Sequence, residues 1–220
     1  MNTFRHAGFN NLEEESILNR LCDLYGSDKG SENYSTDVYC WMPHTYTKVY
    51  ALLFAARKND NLVIFECGLG TNNLDMESNM GVNGKPGASL RVWKDYFINS
   101  NIYGADIDKR ILFNEDRIVT DYMDQTNPES VRAFWDKHNV FPDIIIDDGL
   151  HEPRAGITLY ENSIDRLNDG GVYIIEDVVQ DELKVYREYF AKTFTDVMIL
   201  SLNRHLDEWE DNNNLIIIFK

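Results

Sequence analysis

Cysteine is scarce in this 220-residue chain, and no CxxC pair occurs. The three cysteines, Cys22, Cys40 and Cys67, cannot all be paired with one another. Sparse, unpatterned cysteine fits a reducing compartment better than a disulfide framework. We therefore predict three free thiols and a cytoplasmic protein.

Long hydrophobic runs are also missing. No stretch approaches the roughly 18 apolar residues of a membrane-spanning helix, and residues 1–16 lack the apolar segment of a signal peptide. We therefore expect neither a membrane partner nor a secretory leader.

Positive charge is in short supply, with 21 Lys and Arg against 37 Asp and Glu, a formal net charge of −16 at pH 7. Such a surface repels a phosphate backbone unless a local basic patch intervenes, so nucleic acid is not an expected partner. Hydrophobic residues form 43% of the chain, which is an ordinary value for a globular domain.

From residue 62 onward, short apolar runs alternate with helical patterns. Uninterrupted runs such as 62–65, 144–146 and 172–175 are typical of strands buried on both faces of a parallel sheet. The alternation predicts an α/β fold with a Rossmann-like, doubly wound sheet that is mostly parallel. The connection between runs 197–200 and 215–219 is short for a crossover helix, so we expect an antiparallel last strand.

Helical patterns occupy the segments between these runs. We predict helices over 88–98, 128–138, 155–167 and 181–192 from apolar residues spaced three or four apart. Residues 1–60 contain no strand run, and two helices are expected near 12–25 and 43–57. The predicted organisation is a helical N-terminal cap, 1–60, and a Rossmann-like domain, 61–220.

A glycine-containing turn follows the first predicted strand, with Glu66, Gly68 and Gly70 close together. Ligands of open α/β sheets bind beyond the carboxyl ends of strands, where glycine lets the backbone approach them closely. Asn73 stands where the dinucleotide fingerprint has its third glycine, so a pyrophosphate is not specifically predicted. A tight turn without a ligand remains an alternative.

Asp106 ends the second predicted strand, where an acid can accept both hydroxyls of a ribose. We predict this role for Asp106, with an ordinary turn acid as the alternative, and expect Asp108 to be such a solvent-exposed acid. The inserted segment 72–87 is typical of a mobile loop that covers a substrate.

Carboxylates collect after two later strands, as Asp147 and Asp148 and as Glu176 and Asp177. Negative charge concentrated in a cleft is costly unless a cation neutralises it, and oxygen ligands suit Mg²⁺ or a similar divalent cation. The sequence therefore predicts a metal site, with ordinary exposed acids as the alternative. His151 follows Asp148 by three residues, and a histidine there suits a general base.

These motifs carry a family resemblance. The turn at 66–70 together with Gly-Ala-Asp-Ile-Asp at 104–108 looks like the S-adenosylmethionine site of class I methyltransferases. Asp-Asp-Gly-Leu-His at 147–151, paired with 170–177, resembles the metal-dependent sugar O-methyltransferases of macrolide tailoring and related glycan-modifying enzymes. Leu-Tyr-Gly-Ser-Asp-Lys-Gly at 24–30 and the His-Thr-Tyr-x-x-x-Tyr pattern at 44–50 are also similar to that group.

The resemblance implies a role for each candidate residue. His151 would be the catalytic base, and the metal ligands would be Asp148, Glu176 and Asp177. The cofactor-binding residues would be Glu66, Gly68, Gly70, Asp106, Asp124, Gln125 and Asp147. The implied reaction is methyl transfer from S-adenosyl-L-methionine, assisted by a divalent cation, to a hydroxyl of a sugar or sugar-derived small molecule in glycan or natural-product biosynthesis.

Several alternatives stay open. An N-methyltransferase, or a methyltransferase of a small phosphorylated metabolite, could use the same motifs, and a nucleotide-sugar is a further acceptor. A different class of function is also open, namely a non-catalytic module that binds a nucleoside-containing ligand, since fold does not imply function. An NAD-dependent dehydrogenase is disfavoured by Asn73. Among possible partners, the sequence leaves a homo-oligomer open.

Overall fold

The computed structural model describes residues 11–30, 41–76, 78–193, 196–202 and 212–220. Within these ranges, eight strands form one sheet and helices cover it. The strands are β1 Val63–Cys67, β2 Asn101–Asp106, β3 Asn114–Glu115, β4 Ile118–Tyr122, β5 Ile144–Asp147, β6 Val172–Ile175, β7 Asp196–Ser201 and β8 Asn214–Phe219. The α-helices are α1 Asn11–Tyr25, α2 Thr47–Phe54, α3 Ala88–Tyr96, α4 Pro128–His138, α5 Pro153–Glu161 and α6 Leu183–Phe190.

The strand order is β3-β4-β2-β1-β5-β6-β8-β7. Strands β4, β2, β1, β5 and β6 are parallel, β3 is antiparallel to β4, and β8 is antiparallel to both β6 and β7. The predicted Rossmann-like sheet with an antiparallel last strand is confirmed. The chain leaves β1 toward β2 and later returns to β5 on its other side, which makes the β1–β5 boundary the switch point where such folds bind ligands.

The apolar runs form buried strands because successive side chains point to opposite faces of the sheet. Ile144 and Ile146 enter one hydrophobic cluster, whereas Ile145 enters the other. Both faces are covered by helices, so uninterrupted hydrophobic sequence is what each strand requires.

Helix boundaries follow local chemistry. Helix α4 begins after Asn127, whose side chain accepts from the N–H of Glu129, and ends at Asn139 in the left-handed conformation. The predicted span 128–138 is confirmed. The predicted helix 155–167 instead divides into α5 and a short 3₁₀ helix at Ile164–Arg166.

The two N-terminal helices pack against the rest of the core. Helix α1 contacts α2 and α3, and Leu18, Tyr50 and Phe54 share one hydrophobic cluster with the strand residues Ile64 and Ile102. Both predicted helices exist, although α2 is shorter than 43–57. The division of the chain at residue 60 stays a prediction.

Two of the three predicted free thiols, Cys22 and Cys67, are buried and free, and Cys40 lies outside the described residues. Among the helices of the described ranges, none combines the length and the apolar character needed to cross a membrane.

Candidate functional site

A pocket of about 330 Å³ lies at the carboxyl edge of the sheet, around the switch point. The segments that follow β1, β2, β4, β5 and β6 line it, and the segment between α1 and α2 closes one side. Of the predicted site residues, eight line the pocket: Gly68, Gly70, Asp106, Asp124, Gln125, Asp148, His151 and Asp177.

The turn after β1 needs its glycines. Gly68 and Gly70 have φ values of 92° and 71°, a region that side chains other than glycine rarely adopt. A Cβ atom on residue 70 would lie 1.8 Å from Sδ of Met80. The inserted loop thus rests directly on the turn, and Met76 and Met80 of this loop line the pocket.

Asp106 ties this turn to the end of β2. Its Oδ2 accepts from the N–H of Leu69 at 2.8 Å, and its Oδ1 accepts from the N–H of Asp108 at 2.8 Å. Burial raises the pKa of Asp106, against the lowering effect of these backbone donors. The predicted ribose acid therefore lies in the pocket in a fixed orientation.

The expectation that Asp108 is a solvent-exposed acid is wrong. Its side chain accepts from Thr71 at 2.6 Å, from Asn73 at 2.8 Å and from the guanidinium of Arg110 at 2.7 Å, and the residue is 4% exposed. Partners in the turn after β1, in the inserted loop and in the turn after β2 remove this carboxylate from water.

Asp124 and Gln125 follow β4 and form another part of the wall. Asp124 accepts from Thr126, while Gln125 accepts from the N–H of Leu150 at 2.9 Å and donates to Oδ1 of Asp147 at 2.5 Å. Gln125 therefore links the segments after β4 and β5. Asp147 lies behind the pocket wall, where burial raises its pKa to about 7.

Asp148, His151 and Asp177 form a candidate metal cluster. One ligand atom from each lies within 4.8 Å of the others. Nε2 of His151 is 3.2 Å from Oδ1 of Asp148 and 3.7 Å from Oδ2 of Asp177. His151 and Asp177 have φ values of 59° and 54°, and strained backbone of this kind concentrates at functional sites.

Acidic neighbours control the charge of His151. Burial favours its neutral form, but Asp177, Asp148 and Asp147 outweigh burial and raise its pKa to about 10. The donor set of two carboxylates and an imidazole can hold a divalent cation, which would take over the neutralisation of these acids.

Lys29 is a site residue for which the sequence analysis assigned no role. Its Nζ lies 2.6 Å from Oδ2 of Asp148, contacts Oε2 of Glu176 and is 3.6 Å from Oε1 of Glu66. Burial lowers the pKa of Lys29, but the three carboxylates outweigh it and hold that pKa well above its usual range. The motif at 24–30, which contains Lys29, was the sequence signal that could have identified this residue.

Glu66 and Glu176 lie behind the pocket wall rather than on it. Glu66 accepts from Ser89 at 2.6 Å and from the indole of Trp93. Glu176 accepts from Lys29 and from the hydroxyl of Tyr50. Their predicted roles as cofactor-binding residue and metal ligand stay predictions.

The tyrosines of the 44–50 motif hold the two consecutive acids after β6. Tyr46 donates to Oδ1 of Asp177 at 2.6 Å, and Tyr50 donates to Glu176. Four residues apart, they share one face of the helical segment. His44 stacks on Tyr46 and lies 3.3 Å from Asp177, so this segment fixes the orientation of the acids.

No family model matches the chain, but comparison with known proteins finds similar O-methyltransferases. It is 34% identical over 154 residues to 8-demethyl-8-alpha-L-rhamnosyl tetracenomycin-C 2'-O-methyltransferase of Streptomyces olivaceus, covering 70% of this chain and 35% of the relative. It is 31% identical over 181 residues to L-olivosyl-oleandolide 3-O-methyltransferase of Streptomyces antibioticus, covering 80% and 40%. The chain thus spans about a third of the length of the first of these relatives and two fifths of the second.

A solved structure also resembles this fold. The MycE methyltransferase from the mycinamycin biosynthetic pathway, in complex with Mg and SAH, matches with a TM-score of 0.64 and 21% identity, over 93% of this chain and 54% of that one. At this identity the likeness concerns the fold, which is that of class I methyltransferases.

Proposed function

We propose that this chain, which matches the tetracenomycin and oleandolide O-methyltransferases over a third to two fifths of their length, transfers a methyl group from S-adenosyl-L-methionine to a hydroxyl of a sugar or sugar-derived small molecule, assisted by a divalent cation. The observation that carries the proposal is one pocket that joins the glycine turn and Asp106 to Asp148, His151 and Asp177.

The cofactor would lie along the turn after β1. Gly68 and Gly70 let the backbone approach its methionine and ribose portions, and Asp106 would accept from the ribose hydroxyls. Asp124 and Gln125 would border the adenine. The fit is supported by the pocket, because these five residues all line the same cavity.

A divalent cation would be held by carboxylate oxygens of Asp148 and Asp177, with Glu176 as a further predicted ligand. Glu176 would have to exchange its contact with Lys29 for the cation. Once bound, such an ion orients an acceptor hydroxyl and lowers its pKa. Mg²⁺ is the first candidate because the predicted ligands are oxygens.

The remaining chemistry belongs to the chain itself. Methyl transfer is an in-line displacement in which an oxygen–carbon bond forms as the sulfur–carbon bond breaks. The main task of the protein is therefore to align the acceptor oxygen with the methyl carbon and the sulfur. The neighbouring acids hold His151 in its protonated form when no cation is bound. With a cation neutralising Asp148 and Asp177, Nε2 of His151 would be able to take the proton of the acceptor hydroxyl. The inserted loop, through Met76 and Met80, would exclude water from the reacting atoms.

The test is a transfer assay with metal-stripped protein, S-adenosylmethionine and a panel of neutral deoxysugar glycosides, nucleotide-sugars, sugar phosphates and amines. We expect methylation of a sugar hydroxyl that requires added Mg²⁺ and stops in excess EDTA. Methylation of an amine would replace the O-methyltransferase with an N-methyltransferase. Absence of binding of both S-adenosylmethionine and its demethylated product, measured by calorimetry, would reject a methyltransferase altogether.

A further inference from the structure

A buried ammonium group occupies the centre of the acidic cluster. Lys29 is 2% exposed, and its Nζ contacts Asp148 and Glu176 and approaches Glu66. A buried charge is costly unless it is paired, and here one cation faces three acids. The lysine therefore already performs part of the neutralisation that a metal ion would perform.

The backbone keeps this ammonium in place. The carbonyl of Lys29 accepts from the N–H of Thr47, and the carbonyl of Asp28 accepts from the N–H of His44 at 2.7 Å. A Cβ atom on Gly30 would lie 2.8 Å from Cβ of Cys22. Helix α1 and the start of α2 thus hold the backbone of this segment from both sides.

Asp148 is shared between two positions of positive charge. Its Oδ2 accepts from Lys29, and its Oδ1 faces His151 in the candidate metal cluster. A divalent cation bound through Oδ1 would lie on the other oxygen of the carboxylate that Lys29 contacts. Like charges at such short range repel strongly in a partly buried site.

We propose that Lys29 is an internal counter-cation, a positioning residue that holds Glu176 and Asp148 in place without a metal and weakens the binding of a divalent cation beside it. The proposal rests on the proposed metal site of Asp148 and Asp177, with Glu176 as a further predicted ligand. Its consequence is that the acidic cluster is assembled before the cation arrives and binds it reversibly.

The test replaces the charge with an apolar chain of similar length, in Lys29→Met. Calorimetric titration with Mg²⁺ alone should show an affinity at least about tenfold higher than that of the wild type, because the repulsion is removed. The melting temperature in EDTA should fall, and Mg²⁺ should raise it by more than in the wild type, since tighter binding to the folded state stabilises it more.

Three variants sharpen this comparison. Lys29→Arg keeps the charge and should keep the wild-type Mg²⁺ affinity. Lys58→Met removes another lysine that contacts a glutamate, Glu14, away from the pocket, and should lose stability without any change in Mg²⁺ affinity. Lys29→Gln provides a second neutral variant if Lys29→Met does not fold, with the same expected rise in affinity.

The outcomes separate this proposal from the proposed function. Unchanged or weaker Mg²⁺ binding by both neutral variants would overturn the counter-cation. Mg²⁺ binding by the neutral variants but not by the wild type would support it, and would remove the metal from the proposed activity. Equal Mg²⁺-induced shifts in melting temperature for the wild type and Lys29→Met would reduce the lysine to a packing element, whatever the result of the transfer assay.

Discussion

The carbonyl oxygen of Asp148 packs against Gly68 so closely that a Cβ atom on residue 68 would lie 1.9 Å from it. The N–H of Asp148 also donates to the carbonyl of Cys67 at 2.9 Å. The proposed cofactor turn after β1 and the proposed metal segment after β5 therefore meet backbone to backbone. A shift of the turn after β1 would therefore also shift the segment after β5.

Gly68→Ala should weaken two kinds of binding together. The new methyl group would collide with the backbone of Asp148 and Gly149, and the φ of 92° disfavours any side chain. We expect lower affinity for both S-adenosylhomocysteine and Mg²⁺ in calorimetry. Gly170→Ala is the matched control, because Gly170 also has a positive φ but a Cβ there would meet nothing within 4 Å. Loss of only one affinity would contradict the coupling.

Asp106→Asn should weaken cofactor binding. The substitution removes a charged acceptor from the predicted ribose site, and hydrogen bonds to charged groups contribute roughly 1.5–3 kcal/mol. The dissociation constant for S-adenosylhomocysteine gives the measure. Asp121→Asn removes a carboxylate that pairs with Lys137 and His138 and should leave this constant unchanged. An unchanged constant in Asp106→Asn would refute the ribose assignment.

Asp148→Asn and Asp177→Asn should abolish the response to a divalent cation. Each keeps the shape of the side chain and removes one ligand charge. Thermal unfolding with Mg²⁺ and with EDTA should then give the same melting temperature for each variant. Glu176→Gln should also lose metal-dependent turnover if Glu176 is a ligand. A wild-type response in all three variants would mean that the cluster is not a metal site.

His151→Ala should reduce turnover by about 10²- to 10⁴-fold, the usual contribution of a positioned base, while cofactor affinity stays nearly unchanged. The loss should appear mainly in kcat on an identified acceptor. His138→Ala serves as the comparison, since His138 pairs with Asp121 away from the pocket and should keep full turnover. Full activity of His151→Ala would rule out His151 as the base.

The sheet and the edge that carries the pocket were predictable from sequence because both depend on local patterns. Buried parallel strands require uninterrupted apolar runs, and the polar residues that follow such strands gather at one edge. Asp106, Asp148 and Asp177 were found in this way. Strand β3 was not, since its two residues, Asn114 and Glu115, are too few for any periodicity.

The charge pairing inside the site was not predictable in the same way. Lys29 meets Asp148 across 119 positions of sequence, and that contact depends on how α1 and α2 pack against the core. Residues adjacent in sequence also take different positions, because Asp148 lines the pocket whereas Asp147 is buried behind its wall. A run of acids identifies the site but does not assign a partner to each acid.

In the described part of the chain, β8 lies between β6 and β7, and β7 is joined to the sheet through its pairing with β8. The attachment of β7 therefore depends on the pairing of β8 with β6. The seating of β8 also brings Asn213 to His44 and Asn214 to Val178, just past the acids that follow β6. We therefore expect the loss of the last strand to detach β7 and to remove the support of the pocket wall beside Asp177 at the same time.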